Sequence, residues 1–253
     1  MGREGKYTAH CEGARRSSRC RTRRAVLSPC HHPLRWGHRI CIAIDGYAPG
    51  IVRLIADSYG RHTIQKAWSE FTGGKSQVFR GDHANTELFF SWLFHRWAPA
   101  REKGDELRDE ALYGTPPTRA YLDRRSRGLN PLLRLYLEAC LASFARFYEV
   151  LDCEPGAGFH ARDVFTDLVY EVSEPLASTS LANGDIFYAN LIRLEPITLM
   201  EAISPLSFPP HSKLHLLQLC PQDVAARPSG PQLREIYFRL LDAHHGDGDA
   251  EII

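Results

Sequence analysis

The stretch LDCEPGAGFHARDVF, residues 151–165, holds the first pattern with chemical meaning. Gly156, Gly158 and Ala161 reproduce the G-x-G-x-x-A spacing with which a backbone approaches a dinucleotide pyrophosphate. That chemistry needs a helix opening directly after the glycines, because the helix N-terminus supplies the amide groups that hold the phosphates. After Gly158 the chain reads Phe-His-Ala-Arg-Asp-Val-Phe, which has no 3.6-residue apolar period. Pro155 and the two glycines fit a hairpin turn instead, where positive φ is needed. The spacing therefore predicts a turn between strands and no nucleotide site. GGKS, residues 73–76, is a similar echo. Ser69 stands where a phosphate loop needs glycine, and a helical pattern precedes it where a strand is required.

Three carboxylates could do hydrolytic chemistry if they met. Asp163, Asp167 and Asp185 fall near expected turns, and converging carboxylates hold a divalent ion or exchange protons with water. Turn aspartates more commonly bond the local backbone, which predicts a structural role. ICIAIDG, residues 40–46, ends in an Asp after an apolar run, as a phosphatase nucleophile does, but Tyr47 stands where the second acid belongs. Cys30, His32 and Cys41, with His31 and His38 nearby, give a partial zinc spacing whose second pair is incomplete, since Ile42 follows Cys41. There is no G-x-S-x-G elbow and no H-E-x-x-H helix. Cys140 is expected to pack as a small hydrophobe on a helix face and Cys153 to sit near a strand end. His95 is expected at a boundary with its ring half buried. No residue is assigned to catalysis, to a cofactor or to a metal.

The elements that must position these residues change character at Ser143. Before it, apolar residues recur at helical spacing. Pro49 opens a helix with Ile51, Val52, Ile55 and Tyr59 on one face, and Ile64, Ala67, Trp68 and Phe71 mark a second. ELFFSWLFHRW, residues 87–97, is apolar nearly all round, the signature of a central core helix. A charged linker, residues 98–117, leads to a short helix from Thr118 to Arg127. Asn130 and Pro131 then cap a strong helix with Leu133, Leu137, Cys140, Leu141 and Phe144 inward. After Ser143, β-branched and aromatic residues dominate and turn signals recur. Five strands are expected, at 145–153, 158–164, 168–174, 185–194 and 197–203, as a meander closing into a small barrel. SPLSFPP is read as an extended crossing and HSKLHLLQL as a short helix with Leu214 and Leu217 inward. Pro231 opens a last helix through Leu233, Ile236, Tyr237, Leu240 and Leu241.

Composition bounds the partners. The chain has 253 residues and a net charge of +1. Residues 1–39 carry ten Lys+Arg and two Glu, so the rest is acidic by seven charges. An acidic body weighs against nucleic acid, whose non-specific affinity comes from cationic side chains. The basic arm has no helical or strand period and is expected to be an unstructured extension, of the kind an upstream start codon adds. No apolar run approaches the ~18 residues of a membrane helix, and no secretory signal is read at the N-terminus. Seven thinly spread cysteines, an odd count, point to free thiols in a reducing cytoplasm.

The stretches GRHTIQKAWSEF, ELFFSWLFHRWAP, GLNPLLRLYLEACLASFARFYEVLDCEPGAGFHARDVFTD, LANGDIFYANLIRLEPITLMEAISPLSFPP and HSKLHLLQL resemble an uncharacterised group of bacterial proteins that carry a SEC-C domain, the zinc motif found at the tail of the SecA translocation ATPase. The resemblance spans about residues 50–219 and implies no defined reaction. The zinc motif C-P-C-G-S-G is absent from residues 50–253, and Cys30, His32 and Cys41 echo only three of its ligands.

The expectation is an α+β protein: a basic disordered extension (1–39), a helical domain (40–143) packed on a small five-stranded antiparallel β-barrel (144–209), and C-terminal helices with a disordered tail (210–253). The expected function is a non-catalytic binding or adaptor protein of the bacterial cytoplasm, with a protein or peptide partner. A metal-dependent hydrolase using the turn carboxylates and a zinc-binding N-terminus are the alternatives.

Overall fold

The computed structural model describes residues 33–60, 62–75, 78–100, 110–125, 127–220, 227–247 and 251–252. The change of pattern after Ser143 is a change of secondary structure. From there the chain runs as β1 (Arg146–Glu154), β2 (Gly158–Asp163), β3 (Val169–Val172), β4 (Ile186–Leu194) and β5 (Ile197–Phe208). The strands pair in the order β3-β2-β1-β4-β5, and β3 returns to β5 through Val172 against Thr198, closing a barrel. The closing pair is parallel, whereas β1–β2, β2–β3, β1–β4 and β4–β5 are antiparallel. The uniformly antiparallel barrel expected from the sequence is therefore corrected to a mixed one. The reason is arithmetic: a closed ring with an odd number of strands cannot alternate direction all the way round.

Residues 151–165 form the hairpin between β1 and β2. Glu154 pairs with Gly158 and Cys153 with Phe159, so a strand begins where a nucleotide loop would need a helix. Gly156 takes φ 81° in the turn. Gly158 is required by close approach, since a Cβ there would lie 2.4 Å from the Val172 carbonyl oxygen.

Side chains alternate between two cores along β4, although β1 and β5 carry register shifts. On β4, Phe187, Ala189 and Leu191 point into the barrel, where they meet Tyr148, Val150, Phe159, Ala161 and Val172. Ile186, Tyr188, Ile192 and Leu194 point outward into a second core made with the helices. Residues 186–192, IFYANLI, are all buried because both faces of this strand are covered. The barrel interior is thus filled by its own aromatic and aliphatic side chains.

The helices are α1 (Pro33–Ile44), α2 (Tyr47–Ser58), α3 (Thr63–Phe71), α4 (Thr86–His95), α5 (Pro117–Arg124), α6 (Pro131–Ala142), α7 (Ser212–Leu219) and α8 (Gly230–Asp247). α6 begins as its sequence predicts: the Asn130 side chain accepts from the Leu132 N–H at 2.9 Å, and Pro131 occupies the first turn. α4 lies against both α5 and β5, in the middle of the molecule. The helices precede and follow the barrel, as expected of this α+β arrangement.

Several boundaries differ from the sequence expectation. α1 begins at Pro33, inside the segment read as unstructured to residue 39. Ile40 is fully buried and α1 packs against α6, so tertiary contact supplies what local propensity lacks. β5 continues through Ser204 and Pro205 to Phe208 instead of ending at 203. α7 turns the other face inward: Leu216 is buried, while Leu214 and Leu217, expected inside, are exposed. Secondary structure is also described within the segment read as a disordered tail. α8 reaches Asp247, and a short β6 (Glu251–Ile252) pairs with Leu206 and Ser207 of β5. Among the described residues no helix is long and apolar enough to cross a membrane.

Candidate functional site

Two polar assemblies lie between the helical layer and the outer face of the barrel. The first is a closed network. His95, at the end of α4, is fully buried, in contrast to the half-buried boundary position expected for it. Its Nδ1 lies 2.9 Å from Thr118 Oγ1 on α5, and its Nε2 lies 3.2 Å from Glu201 Oε1 on β5. Tyr47, at the start of α2, donates its hydroxyl to the same Glu201 oxygen at 2.8 Å. Cys140 of α6 completes the group. As expected, this thiol is buried in the helical core, and it also adjoins the polar group around His95. Burial disfavours charge on His95, but the adjoining Cys140 sulfur and Glu201 carboxylate outweigh it and raise its pKa to about 9. Burial also pushes the Tyr47 hydroxyl well above its ordinary value, with Glu201 adding to the effect.

The ligating atoms of His95, Cys140 and Glu201 lie within 4.8 Å of one another, the one such grouping among the described residues. Their composition would suit a metal or a thiol nucleophile. Their hydrogen bonding does not call for either, because both imidazole nitrogens and the carboxylate oxygen that faces them are already partnered inside the protein. Cys140 is fully buried, and none of the three residues lines the adjacent cavity. What the arrangement does is join α2, α4, α5 and β5 through a buried imidazolium–carboxylate pair.

The second assembly is open. A cavity of about 140 Å³ lies between α4, α8 and β4, with Phe71, Trp92, Phe144 and Tyr188 among its walls. β4 contributes Tyr188 and Asn190 because its outward residues face the helices. Asn190 is 3% exposed; its Nδ2 donates to Ser91 Oγ at 3.1 Å, and its Oδ1 has no partner. α8 contributes Gly230, Pro231 and Arg234. It is anchored by Tyr237, which stacks on Tyr188 at 4.6 Å and donates to Asn85 Oδ1.

Arg234 is the unusual member. Its Cζ lies 4.6 Å from the Trp92 ring centre and 5.8 Å from that of Phe71. Among the described residues the guanidinium makes no hydrogen bond or ion pair. Burial lowers its pKa, while Tyr188 and Glu70 pull the other way. Glu70 forms no ion pair with it, and accepts from Trp97 Nε1 at 2.9 Å. Arg96 lies at the rim, donating to the Leu141 carbonyl at 2.8 Å and facing the Phe144 ring. Arg96 and Pro231 are exposed, so the mouth opens between the end of α4 and the start of α8.

The residues singled out in the sequence lie elsewhere. Asp163 is buried, paired with Arg146 at 3.1 Å, and accepts from the Phe165 and Thr166 amides. Asp185 accepts from the Ala182 amide, and Asp167 sits in a turn at φ 56°. The three form no metal-binding group of three among the described residues. Cys153 donates to the Ser178 carbonyl at 3.3 Å. Cys30 and His32 lie outside the described residues, so of that zinc spacing only Cys41, on α1, is seen.

Comparison with protein-family models, with curated proteins and with solved structures finds no match. The class is therefore defined by architecture alone: helices seated on the outer face of a closed five-stranded mixed barrel, with an open cavity at the seam.

Proposed function

We propose that the protein is a non-catalytic binding protein whose ligand occupies the seam cavity. The observation that carries this reading is an unpaired, half-buried guanidinium stacked on Trp92 in that cavity, beside a buried carboxamide with an unspent oxygen. A half-buried cation whose nearest acid, Glu70, forms no ion pair with it is costly, and a bound ligand offsets that cost. A cavity of this size takes a small molecule and not a folded partner, so the adaptor role expected from the sequence narrows to small-ligand binding. We also place the protein in the bacterial cytoplasm; the four described cysteines are free thiols, which suits a reducing compartment.

The test is a thermal-shift screen of small carboxylates, amides and alcohols on the full chain and on Ala145→Leu, which fills the cavity from its wall. Some of these compounds are expected to stabilise the wild type and not the filled variant, and to be recovered unchanged after long incubation. A screen in which every stabilising compound acts equally on both proteins overturns the cavity reading. Conversion of a bound compound overturns the non-catalytic one.

A further inference from the structure

We infer that the seam cavity selects a small monoanion with a flat apolar body, of the class of aromatic carboxylates. The inference rests on the cavity being the ligand site. Its content is the charge and shape of the ligand.

Charge comes first. Arg234 lies over the Trp92 ring and spends none of its N–H groups on the described residues, so its guanidinium edge is free. A planar fork of donors matches a carboxylate edge better than any neutral group. Gly230 and Pro231, the opening residues of the 18-residue α8, form part of the wall, so the positive end of a long helix lies beside Arg234. Arg96 adds a second guanidinium at the rim. No acidic side chain lines the cavity among the described residues. Asn190 supplies an independent sign of a missing partner. With its carboxamide as placed, Oδ1 is unpaired; turned over, Ser91 donates to Oδ1 and an Nδ2 hydrogen becomes free. The second orientation adds a buried donor to the same anion.

Shape follows from the walls. Phe71, Leu88, Trp92, Phe144 and Tyr188 are apolar or aromatic, so only one end of the ligand can be charged. A dry engineered cavity of about 150 Å³ is known to hold one benzene ring. The 140 Å³ here fits a ring of that size, with its carboxylate turned toward Arg234. Inorganic phosphate would satisfy the charge but leave the aromatic walls without contact.

Benzoate, benzamide and inorganic phosphate separate these possibilities by calorimetric titration of the full chain. Benzoate is expected to bind at least about tenfold more tightly than benzamide or phosphate, the factor one charge-assisted hydrogen bond provides. Arg234→Gln should remove about that factor for benzoate and leave benzamide unchanged. Arg234→Lys, which keeps the charge on a similar stem, should recover part of the loss, and circular dichroism of each variant checks its fold. Equal affinity for benzamide and benzoate overturns the anion assignment while leaving the cavity as the binding site. Preference for phosphate over benzoate overturns the aromatic part. No heat with any of the three up to about 10 mM, tenfold above a weak Kd of about 1 mM, overturns the inference; loss of the cavity reading as well requires the wider screen to fail.

Discussion

Replacing His95 by leucine is expected to lower the free energy of unfolding by about 3–5 kcal/mol, because it leaves Glu201 in the seam without its cationic partner. For a chain of this size the melting temperature should fall by roughly 6–20 °C. The loss should depend on pH in a defined direction. The folded-state pKa of His95 is raised to about 9 from 6.5, so its proton is held more tightly in the folded protein. The resulting stabilisation is fully present below pH 6.5 and disappears as pH rises through about 9. The span corresponds to about 3 kcal/mol. The gap between wild type and His95→Leu, measured by urea denaturation, should therefore be wide at pH 6 and narrow above pH 9. A gap that stays constant across that range contradicts an imidazolium at this position. Glu201→Gln should reproduce much of the effect, since Tyr47 and His95 both bond the same carboxylate oxygen.

The second large effect is at Trp68. This side chain is fully buried and is the hub of the helical core, with its ring centre 4.7–5.8 Å from those of Phe71, Phe79, His83 and Phe89. Trp68→Ala removes all four ring contacts and leaves a void, which should cost about 3–5 kcal/mol. Trp68→Phe should cost clearly less. It keeps an aromatic ring in the hub, and it deletes an indole N–H that is buried without a partner. Urea midpoints of the two variants, with unchanged slopes, give the comparison. Equal losses for Ala and Phe would contradict the account in which aromatic ring packing carries the stability at this position.

The five strands were legible in the sequence because their alternation and turn residues leave few alternatives. Gly158 announced the hairpin, and the structure shows why glycine is needed there, against the Val172 carbonyl. IFYANLI was legible as a strand, and its unbroken apolar run reflects burial on both faces. The parallel closing pair was implied by counting five strands in a ring. Other features depend on which elements meet in three dimensions. HSKLHLLQL has leucines nearly all round, so its period does not choose a face; packing against α8 decides it. His95 looked like a boundary residue because its partners, Thr118, Glu201 and Cys140, are 23, 106 and 45 positions away. Arg234 adjoins Leu233 on an amphipathic helix and carries no local signal of function. Only the docking of α8 beside α4 brings Trp92 beneath its guanidinium. Asn190 gave a hint, a lone amide within the apolar run IFYANLI.

The ligand site itself is tested most directly by side-chain nitrogen-resolved NMR of the full chain titrated with benzoate. Binding at the seam should move the Asn190 carboxamide, the Trp92 indole and the Arg234 guanidinium resonances together, saturating at one concentration. Shifts confined to the barrel turns around Asp163, Asp167 and Asp185, with those three signals unmoved, would contradict it.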